Sequence, residues 1–229
     1  AVDPLEGTNF AANNLPGALS VIAIAEKNNL FHAPETYMEK ISAKVNEKGV
    51  VDLDYSTREN IFNLCEYLNK KPESITACVM DRPRHKDIID ELNILGVKIK
   101  LITDGDVSGA LLVTDDKYGV DIFLGIGGGP EGVLASAALD VFECNFQGRF
   151  LFHTEKDKRR AHKMGITNLT KKYELHEIVK GDSIFCATGI TSGDLVSGIR
   201  TENNEFVSET LVTHKSTGLK KIIKKVVNR

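Results

Sequence analysis

Apolar residues fall in short blocks divided by polar turns, and the blocks change period along the chain. Ala18 to Ala25 (Ala-Leu-Ser-Val-Ile-Ala-Ile-Ala) is apolar and partly β-branched, which predicts a buried strand. Asn28-Asn29 marks a turn, and Leu30 to Ala33 is a candidate partner strand. Ile61, Leu64, Cys65 and Leu68 then recur at helical spacing, behind a Ser56 or Thr57 cap and ahead of a Lys70-Lys71-Pro72 stop.

Three strand–loop–helix units follow. The first has a strand at Ile75 to Met80, a polar loop at Asp81-Arg82-Pro83-Arg84-His85, and a helix from Lys86 to Leu95 ended by Gly96. The second has a strand at Val97 to Ile102, a loop at Thr103-Asp104-Gly105-Asp106, and a small-residue helix at Val107 to Val113. The third has a strand at Val120 to Ile126, a loop at Gly127-Gly128-Gly129-Pro130, and a helix at Glu131 to Phe142. This alternation predicts the α/β class, with a largely parallel or mixed sheet covered by helices. Loops at the strands' carboxyl ends then share one edge, where ligands bind. Beyond Gly148 the chain is more polar. Thr154 to Lys163 reads as a solvated helix or loop without chemistry, Ser183 to Ala187 and Glu209 to His214 as strands, and Lys220 to Lys225 as a tail or exposed helix.

Composition narrows the function classes. A hydrophobic fraction of 41% suits a protein that buries a core, and a net charge of −3 argues against nucleic-acid binding through bulk charge. No apolar run approaches the ~20 residues that span a membrane. Cys65, Cys78, Cys144 and Cys186 form no C-x-x-C pair, which suits a reducing cytoplasm and offers no zinc signature.

The candidate chemistry lies in the loops. Asp3 and Glu6 surround a Pro/Gly turn that Thr8 closes; they serve either an ordinary turn or a hard divalent cation such as Mg²⁺ or Mn²⁺. Arg82 and Arg84 flank Pro83 at a helix N-terminus, where basic residues are mildly unfavourable unless an anion sits there. Asp104 and Asp106 around Gly105 either cap the next helix or accept sugar hydroxyls. Gly127 to Gly132 lets backbone approach a ligand closely, but it has neither Walker nor dinucleotide spacing. Glu131 either complements its helix dipole or supplies a third carboxylate to the cation. Together these loops describe a phosphorylated-polyol pocket better than a scaffold.

Six ordered motifs carry a resemblance. Asp3-Pro4-Leu5-Glu6-Gly7-Thr8, Tyr37-Met38-Glu39-Lys40, Arg82-Pro83-Arg84-His85, Asp104-Gly105-Asp106, Gly125 to Gly132, and Ala187 to Leu195 resemble class II fructose-1,6-bisphosphatases. These belong to the metal-dependent, lithium-sensitive sugar phosphatases. The resemblance implies a layered α-β-α-β-α sandwich and a homo-oligomer, dimer or tetramer. It implies Mn²⁺ or Mg²⁺ on Asp3, Glu6 and Glu131, and catalysis by Thr8, which orients the attacking water, with Asp3 and Glu6. Substrate would meet Glu6, Gly7, Thr8, Tyr37, Arg82, Pro83, Arg84, Asp104, Gly105, Asp106 and Gly128. For Tyr37 a plain covering role for its ring stays open.

The implied reaction is hydrolysis of the 1-phosphate of fructose 1,6-bisphosphate, as in gluconeogenesis. Sedoheptulose 1,7-bisphosphate, an inositol phosphate, or a catalytically incomplete sugar-phosphate-binding fragment are the alternatives. Family members carry a further N-terminal segment with acidic metal ligands. Residues 1–17 are therefore expected to be a metal-binding turn and the remnant of an N-terminal subdomain, and residues 18–229 an α/β sugar-phosphate-binding core. The stretch Asn9 to Pro16 is irregular against the family pattern, which leaves open the helix expected after the metal turn, and Phe150 to Gly165 is short.

Overall fold

The structure is a computed structural model and describes residues 1–228. In chain order it begins with β1 (Val2–Glu6), α1 (Thr8–Ala12), β2 (Leu19–Ala25), β3 (Tyr37–Ala43), α2 (Thr57–Leu68) and β4 (Thr76–Met80). Next come α3 (Lys86–Ile94), β5 (Lys98–Ile102), α4 (Asp106–Leu111), β6 (Ile122–Gly128), α5 (Gly129–Leu139) and β7 (Asn145–Leu151). The remainder is α6 (Glu155–Lys163), β8 (Lys172–Glu174), α7 (Leu175–Ile178), β9 (Ser183–Gly189), β10 (Arg200–Glu202), β11 (Glu205–His214) and β12 (Leu219–Asn228).

These strands make two sheets. The first is antiparallel in the order β1-β2-β9-β11, with β10 and β12 also on β11. The second runs β5-β4-β6-β3-β7-β8, parallel across β5, β4 and β6 and antiparallel beyond. Helix α5 is buried around its whole circumference from Gly132 to Leu139, with Ser136, its one polar residue there, bonded back to Gly132 O, so it lies where both sides are dry. It packs in one core with Leu19, Val21 and Phe185 of the first sheet and Met38, Phe123 and Phe146 of the second. Helices α2 and α3 turn Ile61, Leu64 and Leu92 onto the opposite face of the second sheet, against Ile41, Val79 and Leu124. The result is the α/β sandwich that the resemblance implies.

Local chemistry explains most boundaries. Ser56 and Glu59 form a reciprocal capping box at the start of α2, and Asn69 ends that helix in the left-handed region. Thr154 and Asp157 do the same for α6, which settles that segment as helix rather than loop. Residues after the opening turn also form a helix, α1.

Three expectations need correction. The glycine-rich segment contains no loop: β6 runs on to Gly128 and α5 begins at Gly129, because β3 pairs with β6 as far as Tyr37 opposite Gly128. Lys220 to Lys225 is neither tail nor helix but the middle of β12, which β11 holds in register along its whole length. Leu30 to Ala33 forms no strand with β2; Leu30 makes an isolated bridge to Val179, and Phe31 packs on Phe150 and Tyr173.

Candidate active site

The site is assembled where β1, β4 and β6 end and α4 and α5 begin. A bulge in β1 sets up its first two carboxylates. Asp3 lies opposite Val21 and Glu6 opposite Leu19, so three steps along β1 face two along β2. Regular alternation would put residues three apart on opposite faces; one extra residue puts Asp3 and Glu6 on the same face. Pro4, which has no N–H to give a ladder, sits inside the bulge.

Two acidic-Gly turns then clasp each other. Val107 N–H, in the first turn of α4, donates to Glu6 Oε1 at 2.9 Å. Asn9 N–H, in the first turn of α1, donates to Asp104 Oδ2 at 3.0 Å. Each turn thus caps the helix that follows the other, and Asp104 does cap a helix, though not the one adjacent to it in sequence. Gly7 and Gly105 precede their helices at the same left-handed φ of 77°. The Phe10 ring lies beneath both: a Cβ on Gly7 would sit 2.7 Å from it and one on Gly105 3.1 Å.

Deeper in the site, Asp106 is 6% exposed and pairs with the Lys40 ammonium, itself 1% exposed. The pair fills the space where Gly127 lacks a side chain, since the Asp106 carboxylate occupies the position of an added Cβ. The Glu131 carboxylate fills the corresponding space at Gly128. Across the site, Arg84 Nε donates to Ile126 O at 2.9 Å while its guanidinium lies 4.9 Å from the centre of the Tyr37 ring. Arg82 reaches the Asp104 carboxylate at 3.9 Å. Thr8 is exposed on the first turn of α1.

Charge is unbalanced here. Burial first, then Asp106 and Asp3, push the Glu6 carboxyl well above the ordinary range, against the Val107 bond that favours its ionised form. Burial and then Asp106 also raise Glu131, with Asp3 adding to the effect and Lys40 opposing it. Asp3, Glu6, Asp106 and Glu131 therefore share one field, with Lys40 as the buried cation among them. Among the described residues no three His, Cys, Asp or Glu side chains stand as a ready metal cage. The donor set nevertheless fits a hard divalent cation: all its atoms are carboxylate oxygens, and a cation would offset the burial and the repulsion that together raise Glu6 and Glu131.

The profile of the bacterial fructose-1,6-bisphosphatases, glpX-encoded, matches residues 1–227. The chain belongs to this family. Relatives named D-fructose 1,6-bisphosphatase class 2/sedoheptulose 1,7-bisphosphatase include one from Synechococcus sp., 40% identical over 225 residues, covering 93% of this chain and 65% of the relative. One from Synechocystis sp. is 39% identical over the same 225 residues, with the same coverage. One from Prochlorococcus marinus is 37% identical over 226 residues, covering 93% of this chain and 68% of the relative. The chain spans about 65% of the length of the first two relatives.

Five of the six fructose-1,6-bisphosphatase motifs, scattered over more than a hundred residues of sequence, meet in one place; the sixth, Ala187 to Leu195, instead holds Leu15 and Ala18 through Thr191 and pairs Asp194 with Lys100. Asp106 against Gly127, Arg82 against Asp104 and Arg84 against Tyr37 are direct contacts between different motifs, and Glu6 and Asp104 bond Val107 and Asn9, each one residue past a motif. Sequence reasoning assigned no role to Lys40, His85, Phe10 or His153. Lys40 had only a weak signal, because a strand interrupted by Glu39 and Lys40 does not read as buried, and the structure alone shows β3 buried with Asp106 beside the lysine. His153 had none: it meets the Tyr37 ring edge-on at 6.3 Å and joins Tyr37, Gly128 and Glu131 around an open cavity of about 370 Å³.

Proposed function

We propose that this fructose-1,6-bisphosphatase family member hydrolyses the 1-phosphate of fructose 1,6-bisphosphate, giving fructose 6-phosphate and inorganic phosphate. The observation that carries it is the bulge in β1, which turns Asp3 and Glu6 to one face beside Asp106 and Glu131. Asp3, Glu6 and Glu131 are the residues that would hold Mn²⁺ or Mg²⁺. When bound, such a cation supplies neutralisation of phosphate charge and acidification of water.

The remaining work falls to the chain itself. In this reading Thr8 orients the attacking water, whose oxygen bonds to phosphorus as the bond from phosphorus to the C1 oxygen breaks. That oxygen leaves with a proton. Arg82 or Arg84 grips the distal phosphate, a charge-assisted contact whose loss weakens binding by about tenfold or more. Asp104, Gly105, Asp106, Gly7 and Gly128 surround the sugar, with Pro83 shaping the arginine turn and Tyr37 closing the side. In this account residues 1–17 are the metal-binding turn, hung on the sugar-phosphate core of residues 18–229. A cytoplasmic homo-oligomer, dimer or tetramer, acting in gluconeogenesis is part of the same proposal; the four free cysteines support the reducing compartment.

The double name of the relatives favours sedoheptulose 1,7-bisphosphate as a second substrate. The test is phosphate release with Mn²⁺ from fructose 1,6-bisphosphate, sedoheptulose 1,7-bisphosphate and inositol phosphate, for the wild type and Glu131→Gln. The expected result is turnover of the first two and a fall in kcat of at least about 100-fold in the variant, with KM little changed. Turnover by Glu131→Gln close to the wild-type value would refute the metal assignment. No release from any substrate, with sugar bisphosphate still bound, would make the chain a sugar-phosphate binder.

A further inference from the structure

Strands β4 and β6 run side by side only from Ala77 to Val79 and from Ile122 to Leu124, and β4 ends at Met80. On that edge β6 continues to Gly128 without a backbone neighbour from β4. The short 3₁₀ turn Pro83–His85 takes the place of the neighbour. Ile126 N–H donates to His85 Nε2 at 2.7 Å, and Arg84 Nε donates to Ile126 O at 2.9 Å. Two side chains thus do for Ile126 what a strand would do, giving one acceptor and one donor.

The second ring nitrogen fixes the tautomer. His85 Nδ1 lies 2.8 Å from the Met80 carbonyl oxygen, which can only accept, so Nδ1 carries the proton and Nε2 is left to receive Ile126 N–H. The ring is completely buried. Its outlook is closed on every side: Met80 O from β4, Ile126 N–H from β6, and the guanidinium charges of Arg82 and Arg84 from its own turn. Burial, then the two arginines, oppose a second proton and hold the imidazole below its ordinary range.

Resting on the phosphatase reading above, we propose that His85 is a positioning residue: through Ile126 it fixes Arg84 on the end of β6, so that the guanidinium meets the distal phosphate of a sugar bisphosphate. Ile126 lies two residues before Gly128 and five before Glu131. The same strand end therefore sets the distance between the arginine that holds one phosphate and the carboxylate beside the other.

The test compares His85→Phe, which keeps a ring but no acceptor, with His85→Gln, whose carbonyl can accept Ile126 N–H but cannot gain a proton. Steady-state kinetics on fructose 1,6-bisphosphate are measured from pH 5 to 8, and the Arg84 Nε–H resonance is followed by NMR exchange. His85→Phe is expected to raise KM about tenfold while leaving kcat within about threefold. His85→Gln is expected to restore KM near neutral pH. Wild-type KM rises as pH falls below the ordinary histidine range, because a proton on Nε2 expels Ile126 N–H; His85→Gln shows no such rise. The Arg84 Nε–H proton exchanges slowly in the wild type and in His85→Gln, and quickly in His85→Phe. If His85→Phe fails to fold, the pH profile and exchange rate of His85→Gln decide alone. Wild-type KM in His85→Phe, or a pH profile shared by wild type and His85→Gln, would overturn the proposal. A wild type that releases no phosphate refutes the substrate reading instead, and slow against fast Arg84 exchange then decides whether His85 holds Arg84.

Discussion

Several glycines between Gly125 and Gly132 make room for neighbouring side chains. The Asp106 carboxylate fills the side-chain position of Gly127, the Glu131 carboxylate that of Gly128, and the Phe150 ring would lie 2.7 Å from a Cβ added at Gly129. Gly127→Ala should therefore push Asp106 off Lys40, lowering stability by about 1–3 kcal/mol, as overpacking does. Urea unfolding checks this, and an unchanged midpoint would contradict it. Lys40→Met is the complementary case. It leaves the Asp106 carboxylate buried beside two other acids, and should destabilise by about 3–5 kcal/mol, most of which Lys40→Met/Asp106→Asn should recover. Equal loss in the single and double variants would show that Lys40 contributes packing alone. The glycine run was visible in sequence, but its purpose was not, because the side chains filling it come from distant segments.

At the scale of elements, legibility followed local chemistry. The Ser56 box, the Gly96 stop and the apolar strand of β4 announce themselves through neighbouring residues. Strand β12 does not: its Lys-Lys-Ile-Ile-Lys-Lys-Val-Val pattern alternates basic and apolar groups on both faces, so only pairing with β11 makes it a strand. Strands β3 and β7 carried Lys40, Gln147 and Arg149 in their interiors and stayed unassigned for that reason. The bulge in β1 is a property of a pair, and nothing in Asp3 to Glu6 alone reveals it. The turn joining β11 and β12 yields a pH prediction. Asp182 accepts from His214 Nε2 at 2.9 Å and from Ser216 N–H at 2.8 Å, and these bonds hold its carboxyl down at about 2. A carboxyl lowered in the folded state lends stability that is full above about pH 4 and lost as pH falls toward 2. Denaturant unfolding from pH 5 to 2 should show a smaller fall for Asp182→Asn than for the wild type. Identical falls would remove Asp182 as a source of acid lability.

On the scale of the whole molecule, the two sheets bring their working ends together around α4 and α5. The first sheet delivers Asp3 and Glu6, the second delivers the arginine turn and the strand end before Glu131, and Lys40 ties β3 to α4. Six motifs in order made the family legible from sequence, since their joint spacing constrains far more than any one turn. The gathering of the loops at one edge was legible too, from the alternation of strands and helices. The face of β1 that carries Asp3 and Glu6 was not, because it depends on a bulge that only pairing with β2 creates. The most direct test is anomalous scattering from a crystal of the protein soaked in Mn²⁺. The account predicts a manganese peak among Asp3, Glu6 and Glu131, and its loss in Glu131→Gln. A peak elsewhere, or none at a concentration that supports phosphate release, would contradict it.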